Sequence, residues 1–192
     1  MILMPLGIPK TPTDTLEEEH HYIQTVVGVM AVIAEKLEKG EDTDVETLQK
    51  IVEFMRTFAD KCHHAKEETH LFTLLEKRGV PVRGCPIAIL TAEHQRGRTL
   101  VSTLASATET YAKDMTSAKK NLVETLKALT ELYPGHIWKE DYLLFPMTNK
   151  VLSAEDQKEL GEKFEMVEKT IGADVHERFE RFAEMLEQET QK

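Results

Sequence analysis

Three stretches of the chain carry apolar residues at steps of three and four, the spacing that lines one face of an α-helix. Leu16, His20, Ile23, Val27 and Met30 form one stripe. Ile87, Leu90, His94, Gly97, Val101 and Leu104 form another, and Leu122, Leu126, Leu129, Tyr133, His136, Glu140, Leu143 and Met147 the most regular. Each stripe sets a histidine, and the last also a glutamate, where hydrocarbon is expected. Breaks at Gly40-Glu41-Asp42, between Gly79 and Pro86, near Met115 and near Ser153 divide the chain into long helical runs. Thr13 or Asp14 is placed to cap the first run and Ser153 the last, with Asp44 and Asp114 near the starts of the second and fourth. Nothing between the breaks alternates as a strand does.

The pattern predicts an all-α fold: an N-terminal lead over 1–12, an antiparallel up-down four-helix bundle over 13–150, and a C-terminal helical segment over 151–192 with a softer break at Gly172. That segment is expected to cover the bundle or to pair with another copy in a homo-oligomer. Trp138, Phe58, Phe72, Phe145 and the methionines are read as packing.

At 192 residues the chain suits one core. With Lys+Arg 24 against Asp+Glu 34, the formal charge of -10 makes nucleic acid and anionic membrane surfaces unsuitable partners. The apolar opening from Met1 to Ile8 is interrupted by Pro5 and Gly7 and lacks a basic leader, so it reads as neither signal peptide nor membrane span. A cytoplasmic location follows as the expectation, with Cys62 and Cys85 as free thiols.

The chemistry emerges when the two halves are aligned. His63-His64-Ala65-Lys66-Glu67-Glu68 leading to Leu71-Phe72 and His136-Ile137-Trp138-Lys139-Glu140-Asp141 leading to Leu144-Phe145 share one pattern, each preceded at nearly equal distance by a Glu-His pair, Glu19-His20 and Glu93-His94. The halves are two copies of one helical hairpin. Residues four apart share a helix face, so His63 with Glu67 and His136 with Glu140 each present an imidazole and a carboxylate together. Antiparallel packing brings His20 and His94 to the same depth. Such carboxylates buried without counter-charge would cost several kcal/mol each, and a cation resolves the conflict. Mixed imidazole and carboxylate donors suit iron, manganese or zinc, and two bridging carboxylates suit two ions, with iron preferred. His70, His176 and His21 fall outside the repeated positions and are expected to be exposed or outside the donor set; Lys66 and Lys139 are expected to be solvated.

These residues resemble the hemerythrin family, in its bacterial and archaeal branch of His-His-Glu cation-binding domains. The likeness rests on Glu19-His20 followed by Ile23, the His63 to Glu68 run, Glu93-His94 followed by Gly97-Arg98, and the His136 to Pro146 run. It implies a non-haem diiron centre with His20, His63, His94 and His136 as terminal ligands and Glu67 and Glu140 bridging the irons beside an oxo or hydroxo group. Asp141 stands at the spacing of the bridging aspartate of the oxygen carriers, while the internal repeat favours Glu140. Those carriers also place a histidine four residues past the third-helix ligand, where this chain has Arg98. About two of about twelve coordination positions are thereby left for water, a diatomic ligand, or a side chain such as His64 or Tyr22. Gly97 leaves room either for an exogenous ligand beside Arg98 or for close helix packing.

The expected function is to bind dioxygen or a related small ligand, nitric oxide or peroxide, for sensing, transfer or detoxification. A diiron enzyme consuming peroxide or oxidising iron, and a purely structural metal site, are the alternatives. A ferritin-like site built on Glu17-x-x-His20 and Glu67-x-x-His70 ranks below these, since Leu143 occupies the place of its fourth-helix histidine.

Overall fold

Thr11 opens the first helix. Its hydroxyl accepts from the Asp14 amide (3.3 Å), Asp14 accepts in return from the Thr11 amide (2.6 Å), and Pro12 supplies a preset φ at the first helical position. The cap is therefore Thr11 and not Thr13 or Asp14, because Pro12 has no N–H to lose and can stand inside the helix rather than in the lead. A computed structural model describes residues 10–83, 86–172 and 174–190; the opening from Met1 to Ile8 and Cys85 lie outside them.

Among the described residues there are six helices and no strand. Helix α1 is Pro12–Glu38. Helix α2 is a rod over 45–77, helix α3 is Ile87–Lys113, and helix α4 is a second rod over 115–151. Helices α5, Ala154–Ile171, and α6, Val175–Thr190, complete the chain. Asp44, Asp114 and Ser153 cap α2, α4 and α5. Gly172, at φ 125°, makes a full break between α5 and α6, firmer than the softer one expected.

Opposite ends of α1 meet opposite ends of α4: Thr13 pairs with Asn149 at 3.1 Å and Glu38 with Lys127 at 2.5 Å. Tyr111, near the end of α3, accepts from the Thr43 amide just before α2. The four helices thus run alternately up and down. Helices α5 and α6 lie across α1 and α2, burying Leu160, Phe164, Phe179, Phe182, Ala183 and Leu186. No helix among the described residues is long and apolar enough to cross a membrane.

The core is two apolar clusters, not one. Leu16, Leu71, Phe72, Leu90, Leu144 and Phe145 belong to the first; Ile23, Phe58, Val101 and Tyr133 belong to the second. In α1, α3 and α4 the residues that separate the clusters include the polar members of the predicted stripes, and in α2 they include His63, His64 and Glu67. A charged layer at mid-bundle therefore lies between two hydrocarbon ends.

Both rods widen into π-helical turns at that layer, over Met55–His64 and Lys66–Leu71 in α2 and over Glu140–Leu144 in α4. The amide of Phe72 bonds to the carbonyl of Glu67 and that of Phe145 to Glu140, five residues back rather than four. The extra residue turns the α4 stripe. Leu144 is fully buried and Leu143 is 49 % exposed, correcting the expectation that Leu143 faces inward. Trp138 likewise stands outside, stacked on Tyr142 at 5.8 Å, and Met115, Met166 and Met185 are exposed, while Met30 and Met55 are core.

Candidate metal centre

The wide turn of α2 puts two consecutive side chains, His63 and His64, inside the bundle, together with Glu67. His20 enters from α1, His94 from α3, and His136 and Glu140 from α4. His20 Nε2 lies 3.0 Å from His63 Nε2, and His94 Nε2 lies 3.1 Å from His136 Nε2. His64 stacks on His94 with ring centres 3.8 Å apart. The donors form two neighbouring sets: His64, His94 and His136 in one, and His20, His63, Glu67 and Glu140 in the other, the donor atoms of each lying within 4.8 Å of one another.

The two glutamates reach toward both sets. Glu140 Oε2 is 3.2 Å from His20 Nε2, and its Oε1 is 3.3 Å from His136 Nε2 and 3.5 Å from His94 Nε2. Glu67 Oε2 is 3.6 Å from His63 Nε2 and 3.4 Å from His94 Nε2. Both side chains are fully buried, yet none of their four oxygens has a hydrogen-bond partner. Buried carboxylates left so are costly and rare.

A second ring of carboxylates sits behind the imidazoles. His20 Nδ1 donates to Asp141 (2.6 Å), His63 Nδ1 to Glu19 (3.0 Å), His94 Nδ1 to Glu68 (2.7 Å) and His136 Nδ1 to Glu93 (3.1 Å); His64 Nδ1 faces Asp60 at 3.3 Å. With Nδ1 committed to its carboxylate, Nε2 is the atom each ring would offer to an ion, the arrangement that raises ligand basicity and fixes ring orientation in metal sites.

Burial opposes charge on His20 and His94, but the carboxylates outweigh it. Asp141 and Glu140 push His20 up to about 10, and Glu140, Glu67 and Glu68 push His94 up to about 11. Burial and the facing imidazoles of His94, His63 and His136 hold His64 well below the ordinary histidine range. Against its burial, Glu140 is held well below the carboxylate range by His136, His20 and His94. The layer thus demands positive charge, which protons supply in the absence of an ion and which an ion would displace. Burial and Glu19 push the Cys62 thiol up to about 12, and it stands as a buried free thiol.

A family model described as the hemerythrin HHE cation binding domain matches residues 11–148. The chain belongs to this family. It is also similar to uncharacterized proteins of Mycobacterium bovis and Mycobacterium tuberculosis, 26% identical over 158 residues that make up 82% of this chain. The chain spans 61% of the length of these relatives. No solved structure gives a significant match.

All six donors expected from the hemerythrin resemblance converge in the layer, and His64 joins them. Tyr22 does not: its ring meets Phe58 edge-on (6.3 Å). Asp141 stands behind His20, half-buried, while Glu140 is the carboxylate among the Nε2 atoms. Gly97 faces the Tyr133 hydroxyl, which would lie 3.3 Å from a Cβ there, so this glycine permits a close helix contact. Arg98 is not among the donors; it pairs with Asp60 (2.8 Å) and Glu68 (2.9 Å), the carboxylates behind His64 and His94. Glu17 is exposed and His70 only half-buried, so the ferritin-like pairing is not assembled.

Lys66 overturns its expectation of solvation. It is fully buried and donates to Glu19 and to Glu168 of α5 (2.6 Å), whereas Lys139, its counterpart, is 29 % exposed beside Glu93. His176 lies outside the donor set as expected, but it donates to Glu19 at 2.8 Å. Sequence reasoning assigned no role to Glu19, Glu68, Glu93 or Asp60. The signal was present for Glu19 and Glu93, since the glutamate preceding each first histidine recurs with the rest of the repeat.

Proposed function

We propose that the layer holds two metal ions, iron being favoured by the donor chemistry, and that the protein binds dioxygen or a related small ligand such as nitric oxide or peroxide. The observation that carries this reading is the pair of buried glutamates, Glu67 and Glu140, whose four oxygens have no hydrogen-bond partner while five imidazoles gather around them. Divalent ions supply the positive charge those carboxylates lack, two glutamates able to bridge suit a pair of them, and imidazole with carboxylate suits iron, with manganese and zinc as alternatives.

The residues divide unequally. His64, His94 and His136 would serve one ion and His20 and His63 the other, with Glu67 and Glu140 shared as bridges together with an oxo or hydroxo group. His64 then supplies the histidine missing at Arg98. In the second half of the repeat the position of His64 is held by Ile137, which is buried and offers no donor. The two-histidine ion would therefore have fewer protein donors, and a diiron pair held there would supply the redox chemistry for taking up dioxygen or a related small ligand. The residues of the chain orient the imidazoles through Asp141, Glu19, Glu68 and Glu93 and keep bulk water out with the apolar clusters on either side. The Cys62 thiol fits a reducing, cytoplasmic compartment.

Reconstitution with ferrous iron under anaerobic conditions, followed by admission of oxygen, tests the reading by optical spectroscopy. A charge-transfer band of an oxygen-bridged ferric pair is expected. Iron-free protein with no such band would contradict it.

A further inference from the structure

We propose that His176 and Glu168, on the C-terminal helices beyond the residues matched by the family model, are positioning residues of the metal centre: through Glu19 and Lys66 they fix the His63 imidazole, and with it the two-histidine metal position. The inference rests on the metal reading given above.

The internal repeat provides its own comparison. In the second half, Glu93 accepts from His136 Nδ1 (3.1 Å) and Lys139 Nζ (2.6 Å), and both partners of that ion pair touch solvent, at 21 % and 29 % exposure. In the first half the same trio, Glu19, His63 and Lys66, is sealed at 1 %, 1 % and 0 %. The difference is the C-terminal hairpin. Glu168 of α5 takes a second hydrogen bond from Lys66 (2.6 Å), and His176 of α6 donates from Nε2 to Glu19 Oε1 (2.8 Å). The His176 ring packs on Phe58 at 5.0 Å, and its Nδ1 lies 3.3 Å from Glu180. Glu19 is thereby held by three donors from two helices, His63 and Lys66 of α2 and His176 of α6, and its Oε2 aims His63 Nδ1 so that Nε2 points into the layer.

The cavity beside this trio shows what the hairpin excludes. A space of about 910 Å³ opens between α1 and α5 and reaches Glu19, Glu168 and His176, with Glu18, Glu162 and Glu165 along its walls. Truncating His176 would uncover the Glu19 carboxylate, now 1 % exposed, toward that space, letting water compete for its oxygens. Glu19, Cys62 and His176 also lie within 4.8 Å of one another. The Lys66 ammonium already neutralises Glu19, so this group is a strut behind His63 rather than a third ion site.

The test is anaerobic titration of the full metal-free chain with ferrous iron, resolving the first and second equivalents and recording the ligand-field spectrum by near-infrared circular dichroism. Substitutions behind a metal ligand lower affinity by about 10–100-fold. His176→Ala is expected to weaken one of two equivalents by that factor and to shift the bands of one ion, leaving the other as in wild type. His176→Gln, which keeps an N–H toward Glu19, should restore both affinity and spectrum. Glu168→Gln, which leaves the ring intact and loosens Lys66, should weaken the same equivalent. Lys139→Ala, at the solvent-exposed counterpart, should leave both close to wild type. Two equivalents bound by His176→Ala and Glu168→Gln with unchanged affinity and spectrum would overturn the inference alone. A wild-type chain that takes up no iron would instead defeat the metal reading beneath it.

Discussion

Each histidine of the layer gains its chemical identity from the carboxylate behind it. Asp141 and Glu140 are adjacent in sequence but differ in what they touch: Asp141 meets the Nδ1 of His20 from outside, and Glu140 spreads its oxygens between the two imidazole sets. Glu140→Ala should therefore abolish binding of at least one ion, read as equivalents per chain by elemental analysis. Asp141→Asn should leave two ions bound, with affinity lowered by about 10-fold or more. Equal losses in the two variants would contradict the division of roles. His64 and His70 make a parallel contrast, since His64 is buried against His94 and His70 is half-buried outside the layer. His64→Ala should lower metal content, whereas His70→Ala should leave it unchanged.

Among the elements, the π turns decide which residues face inward. Helical periodicity identified the stripes of α1 and α3 to the residue, because those helices keep the ordinary period through the layer. In α4 it failed beyond Glu140, where one extra residue in the turn exchanges Leu143 for Leu144. A pattern of apolar positions carries no mark of a widened turn when both candidates are leucine. Leu144→Ala should cost about 2–5 kcal/mol in urea denaturation, the range for a buried leucine. Leu143→Ala should stay within about 0.5 kcal/mol. The reverse order would place the stripe on an unbroken α-helical register.

The start of α5 is held by another local device. Asp156 accepts from the Ser153 amide and pairs with Arg78 at the end of α2. Arg78, then Ser153, hold its carboxyl well below the usual range. A depressed folded-state value means that its contribution is complete above the unfolded value near 3.8 and declines as pH falls below it. The urea midpoint of Asp156→Asn should therefore lie below wild type by a constant interval from pH 7 to pH 5, with the gap narrowing below pH 4. A gap that already closes between pH 7 and pH 5 would rule out this account.

At the scale of the molecule, two copies of a helical hairpin place charge at the one depth where hydrocarbon from both ends gives way. The repeat made that architecture and six of its donors legible, because side chains related by the repeat converge when the hairpins pack antiparallel. His64 was only one of two side chains offered for the place left at Arg98, beside Tyr22; the π turn and the stacking on His94 put His64 in the layer, while Tyr22 meets Phe58. The fully buried Lys66 was illegible for another reason. Its sequence neighbourhood equals that of Lys139, and only α5 and α6, which lie far along the chain, seal one lysine and leave the other wet. The same helices give the two halves of the centre different surroundings, so a symmetric sequence repeat yields an asymmetric site.

The central claim is that the mid-bundle layer exists to hold two ions. Metal and protein quantified on the same sample, after ferrous loading and removal of unbound iron, test it most directly. The account predicts two ions per chain in the wild type and fewer in Glu140→Ala. A wild type that retains no ion, or retains the same number when Glu140 is removed, would contradict it.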